Sequence, residues 1–448
     1  MTNASAATGG EVDRFAGGSP GGMVAQWAEV HRLAVAGREP VIARDAGHRV
    51  GRVWMRWSRF ADVAAVAQAT LTLGPDAGAF YDLGSALSST GRPRQALDCY
   101  GQALPIIREA GDRAGEAATL SSIGMVHDGM GDRRQALAYY QQALPILREV
   151  GDRAGEAATL NNIGMAYDGL GDRRQALAYY QQALPITREV GKSSIEAATL
   201  NNIGMVHNRM GDRRQALAYY QQALPLKREI GDRAGEAVTL NNIGGAYDGL
   251  GDPQQALAYY EQALLLKRDV GDRAGEAIIL NNIGGIYDGL GDPQHALAYY
   301  EQALPVQRDA GDRPGEAVTL NNIGMAYAGL ADERRALAYF EQAQPIQREI
   351  GDRAGEAATL NNIGGIRFMR GDLAGAKAAL DEVIDIVRIL GDRGSEAMMC
   401  FNMAALMARM GRPGDAVEFL VRAIALAEQT EHPALGQMRE LLIELQRA

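Results

Sequence analysis

The chain has 448 residues, 47% of them hydrophobic, and a formal net charge of −10. That balance withholds the basic face that a nucleic-acid scaffold needs to neutralise phosphates. No apolar run is long enough to span a bilayer. Cys99 and Cys400 stand far apart, so one disulfide would do little for a long chain; both read as buried thiols of a reducing cytoplasm.

Residues 1–22 are Gly, Ala, Ser and Thr with scattered charge. They lack the basic and apolar regions of a signal peptide and read as a disordered tail. Residues 23–70 read as an N-terminal helical cap containing a decayed repeat. Met23 to Ala36 suits an amphipathic helix with Trp27, Val30 and Leu33 on one face, and Trp57 to Leu71 suits the second helix of a degenerate pair. The stretch from Arg38 to Trp54 carries no clear signal. All three tryptophans, Trp27, Trp54 and Trp57, fall in this segment.

From Leu71 to Thr430 the sequence repeats every 40 residues, in nine blocks beginning at positions 71, 111, 151, 191, 231, 271, 311, 351 and 391. A fixed period of this size means stacked supersecondary units. In the block from Gly151 to Val190, Gly-Asp opens both halves, at Gly151-Asp152 and Gly171-Asp172. Glycine takes the left-handed conformation that ends one helix, and aspartate caps the free N–H groups of the next. Asp172 and Gln175 have capping-box spacing. Departures occur at Gly91-Arg92, Gly191-Lys192, Ala331-Asp332 and Gly411-Arg412. Each half is then one helix of about 17 residues, roughly 25 Å long. The first carries Leu160, Ile163, Gly164 and Tyr167 at helical spacing, the second Ala176, Tyr180, Ala183 and Leu184. Neither buries its apolar stripe alone, so the blocks must stack. A proline recurs inside the second helix, at Pro105, Pro145, Pro185, Pro225, Pro305 and Pro345, and reads as a regular bend. Residues 431–448 complete the array as a closing helix with Met438, Leu441, Leu442 and Leu445.

The order Leu160, Ile163-Gly164, Tyr167, then Ala176, Tyr180 and Ala183, resembles the large-and-small signature of the tetratricopeptide repeat family, in a long form similar to the repeats of kinesin light chain. The resemblance implies an all-α fold, a right-handed α-α superhelix or solenoid of stacked antiparallel helix pairs. Gly164, Ala176 and Ala183 would be its points of close helix contact.

Catalytic signatures are missing from the sequence. It has no phosphate-binding loop, no His-Glu-x-x-His and no nucleophile elbow, and its six histidines do not cluster as metal ligands would. No cofactor or metal is expected, and the chain reads as no enzyme. What recurs is Asn-Asn before Ile-Gly, in six consecutive blocks. Asparagine is a mediocre helix former, so its place in mid-helix asks for a reason. The family resemblance implies that the second of each pair, Asn162, Asn202, Asn242, Asn282, Asn322 and Asn362, faces a concave groove. There a carboxamide offers donor and acceptor to an extended peptide. The other reading is that an asparagine ties adjacent repeats together. Asp168, Asp248 and Asp288 follow on the same helices and would make the groove polar to acidic, beside Met125, Met165, Met205 and Met325. The lysines and arginines with which one family branch clamps a terminal carboxylate are absent from the matching positions, Ala158 and Asn162. The expected partner is a protein or peptide of basic or backbone-donor character, not nucleic acid or membrane, with self-association left open. The alternative is a peptide-responsive sensor, or a detached regulatory arm of a bacterial signalling system built on a STAND ATPase or caspase-like protease.

Overall fold

The computed structural model describes residues 20–447, and among them the chain forms 22 α-helices and no strand. The readings made for residues 1–19 lie outside the described residues. Three helices precede the regular array: α1 (Pro20–Ala36), α2 (Pro40–Arg56) and α3 (Phe60–Leu71). The first starts three residues before the expected Met23. The segment that gave no sequence signal is α2, which turns Ala43, Ala46, Gly47, Val50, Gly51 and Trp54 inward. Trp54 joins Val24, Val50, Val63 and Ala86 in a small core.

The pairs then follow at the expected period. They are α4 (Ala77–Ser89) with α5 (Pro93–Glu109), α6 (Arg113–Gly129) with α7 (Arg133–Val150), α8 (Arg153–Gly169) with α9 (Arg173–Glu189), and α10 (Ser193–Arg209) with α11 (Arg213–Glu229). Next come α12 (Arg233–Gly249) with α13 (Pro253–Asp269), α14 (Arg273–Gly289) with α15 (Pro293–Ala310), and α16 (Arg313–Gly329) with α17 (Glu333–Ile350). The last are α18 (Arg353–Met369) with α19 (Leu373–Leu390), α20 (Arg393–Arg409) with α21 (Pro413–Gln429), and the closing α22 (Leu435–Arg447). The whole is an all-α solenoid. It divides into two compact units, one ending at Leu226 and the other beginning at Lys227, and each is described by itself.

The joints form as the Gly-Asp pairs dictate. Gly151 ends α7 at φ 72°, and the Asp152 N–H donates back to the Leu147 carbonyl at 2.9 Å. Asp152 Oδ1 then accepts from the Gly155 N–H at 2.9 Å, satisfying an open donor of α8. Where arginine or lysine replaces the aspartate, at Arg92, Lys192 and Arg412, no side-chain cap forms. Ala331 holds a left-handed φ of 58° where the other joints within the repeats place glycine. The helices that contain Pro105, Pro145, Pro185, Pro225, Pro305 and Pro345 run on through them.

In seven of the nine regular pairs a ring lies on a glycine. Tyr180 is 1% exposed, and a methyl group added at Gly164 would stand 2.5 Å from its Cε1. The same lock joins Gly124 to Tyr140, Gly204 to Tyr220, Gly284 to Tyr300 and Gly324 to Phe340. Burial pushes the Tyr180 hydroxyl well above the ordinary phenol range. A second ring pair, Tyr167 on Tyr179, stacks at 5.4 Å between centroids, 11° from parallel.

One tie between pairs is ionic. Glu356 is fully buried, and its carboxylate accepts from Arg348 Nε and Arg353 Nη1, each at 2.7 Å. The clip therefore joins the end of α17 to the start of α18. Glu116, Glu156, Glu276 and Glu316 are held in the same way. A buried carboxylate is costly unless paired and hydrogen-bonded, and here two arginines supply both.

Candidate functional site

The first helix of each pair presents the recurrent asparagines, and the structure gives them a shared task. In the N-terminal unit Asn202 donates through Nδ2 to Asn161 Oδ1 on the preceding repeat at 3.2 Å; Thr199 Oγ1 donates to the same oxygen at 3.2 Å. In the C-terminal unit Asn282 reaches Asn241 at 3.0 Å and Asn362 reaches Asn321 at 3.4 Å. Asn281 turns its amide the other way: Nδ2 donates to Thr319 Oγ1 at 2.6 Å, and its buried Oδ1 has no partner. Both members of the pair thus take part in bonds between repeats. Asn162, Asn202, Asn242, Asn282, Asn322 and Asn362 all remain half-buried, so they also reach the surface of the first helices.

A cavity of about 210 Å³ opens on that surface in the N-terminal unit, lined by Met165, Asp168, Gly169, Asn202, Met205 and Arg209, with Asp128, Arg133 and Tyr180 completing it. Asp168 Oδ2 is ion-paired with Arg209 Nη1, and Asp168 Oδ1 is buried without a partner. Burial raises the Asp128 carboxyl above its ordinary range, and the nearby Arg133 charge opposes that rise. Asn202 spends one amide hydrogen on Asn161 and keeps a carbonyl oxygen and a second hydrogen. Met165 is 43% exposed, an apolar, adaptable surface beside the charges. The structure thus brings Asp168 and Asn202 together. Asp248 and Asp288 lie apart from them in the other unit, exposed and half-buried respectively. Burial raises the Asp288 carboxyl too.

Sequence reasoning passed over Arg209 and Arg133. The signal for Arg209 was present: this block reads His207-Asn208-Arg209-Met210 where its neighbour reads Tyr167-Asp168-Gly169-Leu170. Arg133 lies across Gly169, in the space a side chain there would fill. Basic groups missing from the expected first-helix positions therefore arrive from elsewhere. The cavity holds two carboxylates and two guanidinium groups, where a polar-to-acidic lining was expected.

Among the described residues, no group of three or more His, Cys, Asp and Glu side chains is placed to hold a metal, and no helix is long and apolar enough to cross a membrane.

Paired helices with glycine-to-ring locks, stacked in series through capped Gly-Asp joints, define a helix-pair repeat protein. The Tetratricopeptide repeat family matches residues 76–149, 135–189, 195–269, 250–309, 275–349 and 355–429, well over half of the sequence, and the chain belongs to that family. No curated protein matches it. Among solved structures, the apo quorum sensor NprR from B. thuringiensis is similar, with 16% identity and a TM-score of 0.58 over 73% of this chain and 98% of that one. A STAND (Signal Transduction ATPase with Numerous Domains) protein with a tetratricopeptide repeat sensor, from Pyrococcus horikoshii, is 15% identical with a TM-score of 0.62. That match spans 76% of this chain but 52% of the other. Apo RapI is 17% identical with a TM-score of 0.50, over 62% and 99% of the two chains. At these identities the likeness is one of fold.

Proposed function

We propose that the protein is a non-catalytic interaction scaffold whose first-helix face holds a peptide or protein segment, in the cytoplasm where Cys99 and Cys400 stay as free, buried thiols. The cavity around Asp168, Arg209 and Asn202 carries this reading. It offers an unpartnered carboxylate oxygen, a guanidinium and a carboxamide within one apolar-edged recess. Such a set suits a polypeptide, whose backbone presents donors and acceptors together, better than an apolar ligand. A lysine or arginine of the partner would find Asp168 and Asp128, and a carbonyl would find Arg209.

The test is capture of partners by wild-type protein, by the variant with Asn202, Asn242 and Asn282 all changed to Ala, and by Asp168→Ala/Arg209→Ala. The asparagines also tie repeats together, so circular dichroism must first show that each variant is folded. Partners should be lost from both folded variants. Survival of every partner in both would rule out this face as the binding surface.

The fold shared with a quorum sensor and with a STAND protein's repeat sensor favours a second reading. In it the array is a peptide-responsive sensor, or a regulatory arm that serves a signalling enzyme supplied as a separate chain. Compaction in X-ray scattering on adding the captured partner would support that reading, and an unchanged radius would leave the plain scaffold.

A further inference from the structure

The ring-on-glycine lock is missing from the last two pairs of the C-terminal unit, and in the first of these the glycine remains. Gly364 occupies the position of Gly324 in the preceding repeat, but the residue facing it is Leu380, where that repeat has Phe340 and its predecessor Tyr300. A methyl group at Gly284 or Gly324 would stand 2.5 Å from the facing ring; at Gly364 the nearest atom is Ala379 Cβ at 3.5 Å, with Leu380 Cγ at 3.7 Å. Leu380 is shorter than the ring it replaces, and the residues beside it are small. Gly365 and Ala405 stand at the edge where Met325 stands in the earlier repeat. A cavity of about 260 Å³ lies here, lined by Gly364, Gly365, Phe368, Leu380, Ala405 and Leu406 together with Asn361 and Asn402; the matching place five repeats earlier, where Tyr180 keeps its ring, holds about 210 Å³. For scale, an apolar protein cavity of about 150 Å³ stays dry and takes up benzene.

We infer that this cavity is a binding site for an aromatic ring, a phenylalanine or tyrosine side chain supplied by a partner segment lying on the first-helix face. The shape argument comes from the chain itself, which puts such a ring into the corresponding space of the two preceding repeats. The direction of entry follows too. Tyr260 and Tyr300 run outward from the interior, and their hydroxyls lie 3.4 and 3.9 Å from where a methyl group would sit on Gly245 and Gly285, on the first-helix surface. A ring arriving from that surface enters by the path along which those tyrosines point out. Phe368 flanks it, its own face covered by the Arg409 guanidinium at 4.5 Å. The polar border suits a peptide. No hydrogen bond joins Asn361 to Asn402 among the described residues, although Asn321 and Asn362 are joined one repeat earlier. Both carboxamides are therefore open to the backbone that carries the ring. That a partner delivers the ring rests on the face proposed above; that the cavity accepts one does not.

The full chain is titrated with p-cresol, N-acetyl-phenylalaninamide and N-acetyl-leucinamide, followed by saturation-transfer NMR. Both aromatic probes should bind, and the leucine compound at least tenfold more weakly. Leu380→Tyr restores the ring of the earlier repeats and should abolish aromatic binding while raising the thermal midpoint. Gly365→Met places at the mouth the residue found at Met325, meets nothing within 4 Å of its Cβ, and should weaken binding several-fold. It decides the matter if Leu380→Tyr does not fold. Absence of p-cresol binding, or binding unchanged in a folded variant, overturns the site. Binding of p-cresol without N-acetyl-phenylalaninamide overturns the side-chain occupant and assigns the cavity to a free small aromatic molecule. Loss of partners from the asparagine variants with no p-cresol binding would sink this inference and leave the scaffold reading standing.

Discussion

Gly164 and Tyr180 set how closely the two helices of a repeat approach. The ring needs the absence of a Cβ, because its edge already stands where one would be. Gly164→Ala should therefore overpack the pair and cost about 1–3 kcal/mol, read as a lower midpoint in chemical denaturation. Tyr180→Phe should be nearly neutral, since Phe340 performs the same packing against Gly324. A neutral Gly164→Ala would show that the ring has room to shift and that the lock is weaker than its geometry. This contact was half legible in advance. Gly164 and Tyr180 stand out as a small and a large residue in a fixed order, but the pairing of Tyr167 with Tyr179 requires knowing which faces of two helices meet.

Each buried glutamate joins one helix pair to the next. Burial pushes the Glu356 carboxyl up, but the hydrogen bonds from Arg353 and Arg348 outweigh it and hold the group below its ordinary value. Glu316 is held down against the same opposing burial. A carboxyl lowered on folding contributes stability that is complete above its unfolded value near 4.5 and fades as the pH falls through the folded value. Glu356→Gln should cost about 1–3 kcal/mol at neutral pH and make stability less dependent on pH below 4.5. Equal acid sensitivity in variant and wild type would remove the clip from the acid response. The helix joints were legible because Gly-Asp chemistry is local. The clip was not, because its arginines flank a turn, eight residues before and three residues before the glutamate, a spacing that carries meaning only once the turn is built. The sequence signal for α2 is weak because its buried face is mostly alanine and glycine between arginines. Arg209 departs from the repeat, which has glycine at this position in the neighbouring blocks, so periodicity does not point to it.

In an array, stability comes from repeats and from their nearest-neighbour interfaces. Removing residues 271–310 deletes α14 and α15 and brings Val270 to Gly311 with the Gly-Asp joint intact. Arg268 would then precede Glu316 at the spacing by which it now serves Glu276. That deletion should give a folded, helical protein with a lower denaturation midpoint. Removing 291–310 alone leaves two first helices in succession, α14 and α16, and should give loss of helicity or aggregation on size exclusion. Equal behaviour of the two deletions would contradict the pair as the unit of construction.

The placement of the rings also gives the molecule two separate optical reporters. Trp27, Trp54 and Trp57 all lie ahead of the first regular pair, and the tyrosines start at Tyr81 and belong to the repeats. Light absorbed by tryptophan alone therefore watches the three helices ahead of the array, and tyrosine absorbance watches the array. Melting curves recorded on the two chromophores separate loss of those three helices from loss of the repeats without any label or substitution.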